Sequence, residues 1–131
     1  MRRPILAATA LLALAALSAC SSGGSDADCI DATDTGAAIA EGANDTPITP
    51  VNAKAVQSET SEVYYVAVTF TIPGDDEEST GIWATDDLDG GSILSVDALA
   101  KEFTDWPDAE AAFGITYPND GTEAAEACVS G

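Results

Sequence analysis

Carboxylates dominate the side chains able to carry chemistry in this 131-residue chain, which holds 23 Asp and Glu, four Lys and Arg, three Cys and no His. The missing imidazole removes the usual general base of nucleophilic catalysis and the commonest metal ligand. A serine nucleophile would need Lys54 or Lys101 as its base, and neither lysine sits in a recognisable motif. Paired carboxylates can act as acid and base on a glycoside, but only across a cleft, and a domain with one thin sheet offers little depth. Hard-cation binding uses oxygens at alternate positions and a glycine at the sharp turn. Asp86, Asp87 and Asp89, followed by Gly90, offer that spacing, and Asp75-Asp76-Glu77-Glu78 is a second acidic run. A hairpin turn asks for the same Asp and Gly residues with no ion, and a solvated loop uses them for solubility.

Asp87-Leu88-Asp89-Gly90 is similar to the middle of an EF-hand loop, yet that register places Thr85 at the first ligand position and Val96 at the twelfth. Asp34-Thr35-Gly36 resembles the active-site triplet of aspartic proteases, which that family sets at the end of an apolar strand. Here Ala32-Thr33 precede it and Ala37-Ala38-Ile39-Ala40 follow, the pattern of a helix start. No catalytic residue and no cofactor is assigned, and the expectation is a protein that is not an enzyme. Divalent-cation binding, calcium above all, at the acidic hairpin loops is the alternative.

The N terminus carries a more specific pattern. Met1-Arg2-Arg3 is a basic start, and Ile5 to Ala16 is an apolar run too short for the about 20 residues of a spanning helix. It closes on Leu17-Ser18-Ala19-Cys20, which resembles the lipobox of bacterial lipoproteins. The resemblance covers the first 20 residues and implies a signal peptide over 1–19, cut before Cys20, whose thiol carries diacylglycerol with fatty acyl chains such as palmitate. Two acyl chains suffice for stable anchoring where one gives only marginal binding. The implied address is the extracytoplasmic face of the cell membrane, with residues 20–28 as the lipidated Cys and a Gly/Ser-rich flexible tether.

Once Cys20 is acylated, Cys29 and Cys128 remain, in a compartment where disulfides persist. A bridge between them would close a loop spanning one domain over residues 29–131. Cleavage of the leader also removes both arginines, leaving two lysines against 23 carboxylates, a formal charge of −21. Nucleic acid is excluded as a partner, because phosphate binding needs clustered Lys and Arg. The expected partners are the membrane, through the lipid, and an envelope protein or cell-wall component bound through an exposed sheet face.

Elements then follow from periodicity. Asp31 to Gly42 reads as a short helix capped by Asp31 or Thr33, and Val51 to Ser58 as a strand. Glu62 to Ile72 is the clearest strand: Tyr64, Val66, Val68, Phe70 and Ile72 alternate with Val63, Tyr65, Ala67, Thr69 and Thr71. One face is wholly apolar and the other reads as partly wet. Pro73 to Ser79 reads as a polar loop leading to a strand over Thr80 to Thr85, and Ser92 to Val96 as another strand. Asp97 caps a helix whose stripe is Leu99, Phe103 and Trp106; Ala109 to Phe113 adds a helical turn. Thr122 is placed as the cap of a last helix carrying Cys128 inward. Trp83, Trp106 and the tyrosines suit a stacking groove or, more simply, the core. The fold class is α+β, a small antiparallel sheet with short flanking helices.

Overall fold

The computed structural model describes residues 28–59 and 62–130. Five strands, β1 (Ile30–Asp31), β2 (Thr49–Gln57), β3 (Tyr64–Ile72), β4 (Asp75–Thr85) and β5 (Ile93–Ser95), form one antiparallel sheet in sequence order. Four helices flank it: α1 (Thr33–Ala40), α2 (Ala98–Phe103), α3 (Ala109–Phe113) and α4 (Asp120–Ser130). The α+β class and the antiparallel sheet read from the sequence are therefore those of the protein.

β3 sits at the centre because its β-branched and aromatic residues suit a pleated surface covered by neighbours. It is buried without interruption from Tyr65 to Phe70. Register places Val66 opposite Ala55 and Trp83, and Tyr65 opposite Val56 and Ala84. Each face thus builds its own core. On one, Val66, Val68, Phe70 and Trp83 pack with Ile39 of α1 and Ala100 of α2. On the other, Tyr65, Ala67, Ile82 and Leu94 pack with Ala109 of α3 and Ala125 of α4. The expectation of a partly wet second face is corrected: Ala67 and Ala84 leave room for helix α4 and its neighbours, and helical cover excludes the water.

Aromatic geometry reinforces the first core. The Phe70 ring meets Trp83 at 6.3 Å and Phe103 at 5.5 Å, both edge to face, and such pairs contribute about 0.5–1.5 kcal/mol beyond area burial. Two close approaches require glycine. A Cβ on Gly36 would stand 2.8 Å from that of Ala53, so the glycine lets α1 approach β2. Gly42 lies against the Trp106 ring, which fills the space a side chain there would need.

Several boundaries differ from the sequence reading, each for a local reason. The residues after Cys29 first pair with β2 as β1, and the N-cap of α1 is Ala32, with no side-chain cap bond. Thr33 Oγ1 instead donates to Asp31 Oδ1. The β3–β4 connection is a tight Pro73-Gly74 turn in which Gly74 takes φ of 84°, so the acidic run becomes the exposed start of β4. Helix α2 stops at Phe103, with extended backbone at Thr104. Trp106 still reaches the core, but Leu99 is only half-buried and Ala100 takes the central place. Asn119, not Thr122, caps α4: Asn119 Oδ1 accepts from the Thr122 amide, and Thr122 Oγ1 accepts from the Asn119 amide.

The two ends of the described domain are joined by a Cys29–Cys128 disulfide, with the Cα atoms 5.8 Å apart and a sequence separation of 99. It ties the start of β1, at one sheet edge, to the last turns of α4, on one sheet face. Closing a loop of that length removes up to about 4.7 kcal/mol of denatured-state freedom, comparable to the whole stability of a small domain. The double substitution Cys29→Ser, Cys128→Ser is therefore expected to lower the urea midpoint strongly. An unchanged midpoint would show that packing alone holds the termini.

Candidate functional site

Sequence reasoning singled out Cys20, the Cys29–Cys128 pair, Asp86, Asp87 and Asp89, and the triplet Asp34-Thr35-Gly36. Cys20 lies outside the described residues. The cysteine pair is bonded, as above.

In the acidic loop after β4, two of the three carboxylates bond within the turn. Asp86 Oδ1 accepts from the Ser92 amide at 2.9 Å, and Asp87 Oδ1 from the Asp89 amide at 2.8 Å. Thr85 Oγ1 donates to the Asp87 carbonyl at 3.0 Å, and the Gly91 amide reaches that carbonyl too. These are the bonds that make Asp and Gly turn formers. Among the described residues no group of three or more Asp, Glu, Cys or His side chains is placed to hold a metal ion.

The triplet has a structural use as well. Asp34 is exposed in the first turn of α1, Gly36 faces β2, and Thr35 Oγ1 donates to the Leu88 carbonyl at 3.0 Å. Thr35 thereby anchors the acidic loop to α1. The tryptophans belong to the core: Trp83 Nε1 donates to Thr104 Oγ1 and Trp106 Nε1 to the Ile39 carbonyl, both at 3.0 Å. Thr104 in turn donates to the Ala100 carbonyl, and Ser95 Oγ reaches both Thr104 and the Trp106 carbonyl. The buried hydroxyls are satisfied within the protein.

Asp97 is the acid with an unusual environment. Its Oδ1 accepts from the Ala100 amide at 2.9 Å as the N-cap of α2. The same oxygen accepts from the Ile82 amide at 3.1 Å, extending the β4 ladder just past the end of β5. Burial raises its pKa above the ordinary 3.8; the two amide bonds oppose that shift, and the Glu126 charge adds to it. Nearby, Tyr117 donates to Glu126 Oε2 at 3.3 Å. Its phenol is pushed above 10.0 by burial first and by the Glu126 and Asp97 charges next.

Sequence reasoning missed one broad concavity. An open groove of about 1340 Å³ runs beside the disulfide, walled by Cys29 and Cys128 and floored by Val56, Tyr65 and Ile115. β2 and β3 supply the first two floor residues. The segment after α3 supplies Ile115, turned inward after Gly114 closes that helix in the left-handed region. The only sequence signal was the aromatic Phe113 standing beside Gly114 in a segment with no apolar stripe.

Comparison with protein-family profiles, with curated proteins and with solved structures gives no significant match to this chain.

Because Asp97 has a raised folded-state pKa, its contribution to stability is full below pH 3.8 and is lost as pH rises through the folded value. Asp97→Asn keeps the acceptor oxygen without the charge, so its pH–stability curve should be flatter than wild type from pH 4 to neutrality; parallel curves would refute the assignment. Asp97→Ala leaves two amides unsatisfied and should cost about 1–3 kcal/mol. For the acidic loop, self-bonding predicts an unchanged melting temperature in millimolar calcium by scanning calorimetry, and a rise would restore a cation site.

Proposed function

We propose that this protein is a non-enzymatic lipoprotein of the bacterial cell envelope, held on the extracytoplasmic face of the membrane by diacylglycerol on Cys20, whose domain is a binding module for an envelope protein or cell-wall component. The observation that carries this reading is Leu17-Ser18-Ala19-Cys20 closing an apolar run that follows Arg2-Arg3. The order of these elements matches the requirement of lipoprotein export, a basic start, an apolar stretch and a small-residue cleavage site before the cysteine.

Further physical features support it. A disulfide across the whole domain is a stable bond outside the reducing cytoplasm. With 23 carboxylates in the sequence, the domain is repelled by anionic lipid within a Debye length of about 10 Å, so the tether, not the protein surface, sets its distance from the bilayer. Among the described residues no helix is long and apolar enough to cross a membrane. The absence of histidine from the sequence favours binding over catalysis.

Intact mass spectrometry of protein extracted from cell membranes tests the proposal. The expected mass is that of a chain beginning at Cys20 with added diacylglycerol, while Cys20→Ala should retain residues 1–19 and gain no lipid. An unmodified Cys20 in the wild-type protein would overturn it.

A further inference from the structure

Both sheet faces are covered by helices over the central strand, and the exposed start of β4 is blunted by Asp75, Asp76, Glu77 and Glu78. Charges on an open edge discourage further strand pairing. The groove beside the disulfide is different. Val56 and Ile115 give it apolar ground among polar neighbours such as Gln57, Thr116 and Asn119, and Phe113 stands at its rim with 59% of its surface exposed, the most exposed of three large exposed hydrophobics among the described residues. Tyr117, another of the three, belongs to the same segment. A phenyl ring left in water beside so many carboxylates marks a contact surface more readily than a core defect.

Charge selects the occupant. Asp28, Glu59, Asp120 and Glu123 line the groove, and no Lys or Arg among the described residues does. Lys101 is engaged elsewhere, 3.3 Å from Asp108. The α4 end of the groove presents little to an anion, because the Thr122 and Glu123 amides are already bonded to Asn119. A ligand that buries apolar groups here must therefore bring positive charge to the rim. Opposite potentials steer encounter and exclude anionic competitors.

We propose that the groove between the Cys29–Cys128 disulfide and Phe113 binds a polypeptide segment in which Lys or Arg alternate with apolar side chains. The apolar side chains lie against Phe113 and the Val56–Ile115 floor, and the cationic ones reach the carboxylates at the rim. This deepens the binding role proposed above and rests on it. Asp28 and Cys29, at the start of the described residues, belong to the groove's lining.

The probe is the peptide acetyl-Lys-Leu-Lys-Leu-Lys-amide, titrated into ¹⁵N-labelled protein isolated from cells and held in zwitterionic nanodiscs. Acetyl-Glu-Leu-Glu-Leu-Glu-amide and acetyl-Lys-Ser-Lys-Ser-Lys-amide are controls. The expected result is saturable amide shifts confined to Phe113–Thr116, Gly121–Ala124 and the ends of the disulfide, with neither control binding comparably. Phe113→Ala, and separately the pair Glu59→Gln, Glu123→Gln, should each weaken binding by about fivefold or more. Replacing the four acids of Asp75–Glu78 by their amides should leave it unchanged. Absence of binding overturns the proposal. So do shifts spread over the acidic surface, insensitivity to Phe113→Ala, or groove shifts that appear with protein concentration alone, which would mark a second copy as the occupant. Acylation of Cys20 is read separately by mass, so failure of the anchor and failure of the groove give different results.

Discussion

A strand with no wet face governs this domain. From Tyr65 to Phe70 every residue of β3 is buried, so its side chains on both faces need cover while its backbone groups are satisfied by β2 and β4. A five-stranded sheet joined in sequence order supplies no crossover helices from its two central hairpins. Cover must come from the segments at the ends. The chain before β2 gives α1 to one face, the chain after β5 gives α2 to that face as well, and α3 and α4 close the other. The disulfide follows from this division. The first strand and the last helix belong to different layers, and the Cys29–Cys128 bond joins them where neither is held from both sides.

How far this was legible in the sequence depended on periodicity. Glu62 to Ile72 alternates without a break, so the central strand and its two residue sets were readable. Its second face was misjudged because Thr69, Thr71 and Tyr65 carry hydroxyls. In the structure Thr69 shares a hydrogen bond with Thr80 at 3.1 Å across the strand pair, and Asn119 donates to the Tyr65 hydroxyl at 3.4 Å. Local side-chain partners made those groups compatible with burial. The Ala-rich helices had too little amphipathic contrast to announce which face they cover, since alanine is tolerated inside and outside. Asp97 as a helix cap was legible from its position before an apolar stripe. Its second bond, to the Ile82 amide, joins residues 15 apart in sequence, and no local pattern announces it. The groove was illegible for the same reason: its walls come from the first strand, the sheet end, the α3–α4 connection and the last helix.

The acidic composition and the stability of the fold are reconciled by where the charges sit. The four acids of Asp75–Glu78 lie on exposed residues of β4, and Asp86, Asp87 and Asp89 on an exposed loop, where solvent and salt screen their mutual repulsion. A surface pair such as Lys101 and Asp108 adds little to stability in that setting. Asp97 is the exception, buried among apolar neighbours and facing Glu126. It is tolerated because a single oxygen serves two amides that the end of β5 and the start of α2 would otherwise leave unpaired. The burial penalty is thus offset by two donors, and relief of the remaining charge favours the folded state at acid pH.

The same economy bears on where this protein can recognise anything. Sheet faces are occupied, the acidic edge repels further strands, and the tryptophans hold the first core through Thr104 and Ile39. Aromatic surface reaches solvent in the stretch from Phe113 to Tyr117. That stretch owes its position to two constraints that have nothing to do with a ligand: Gly114 must end α3 in the left-handed region, and Asn119 must begin α4. A connection pinned at both ends can present a phenyl ring to water with little freedom to fold it away. A partner seated in the groove proposed above would desolvate the carboxylates at its rim, and without a compensating cation that would leave buried negative charge unpaired.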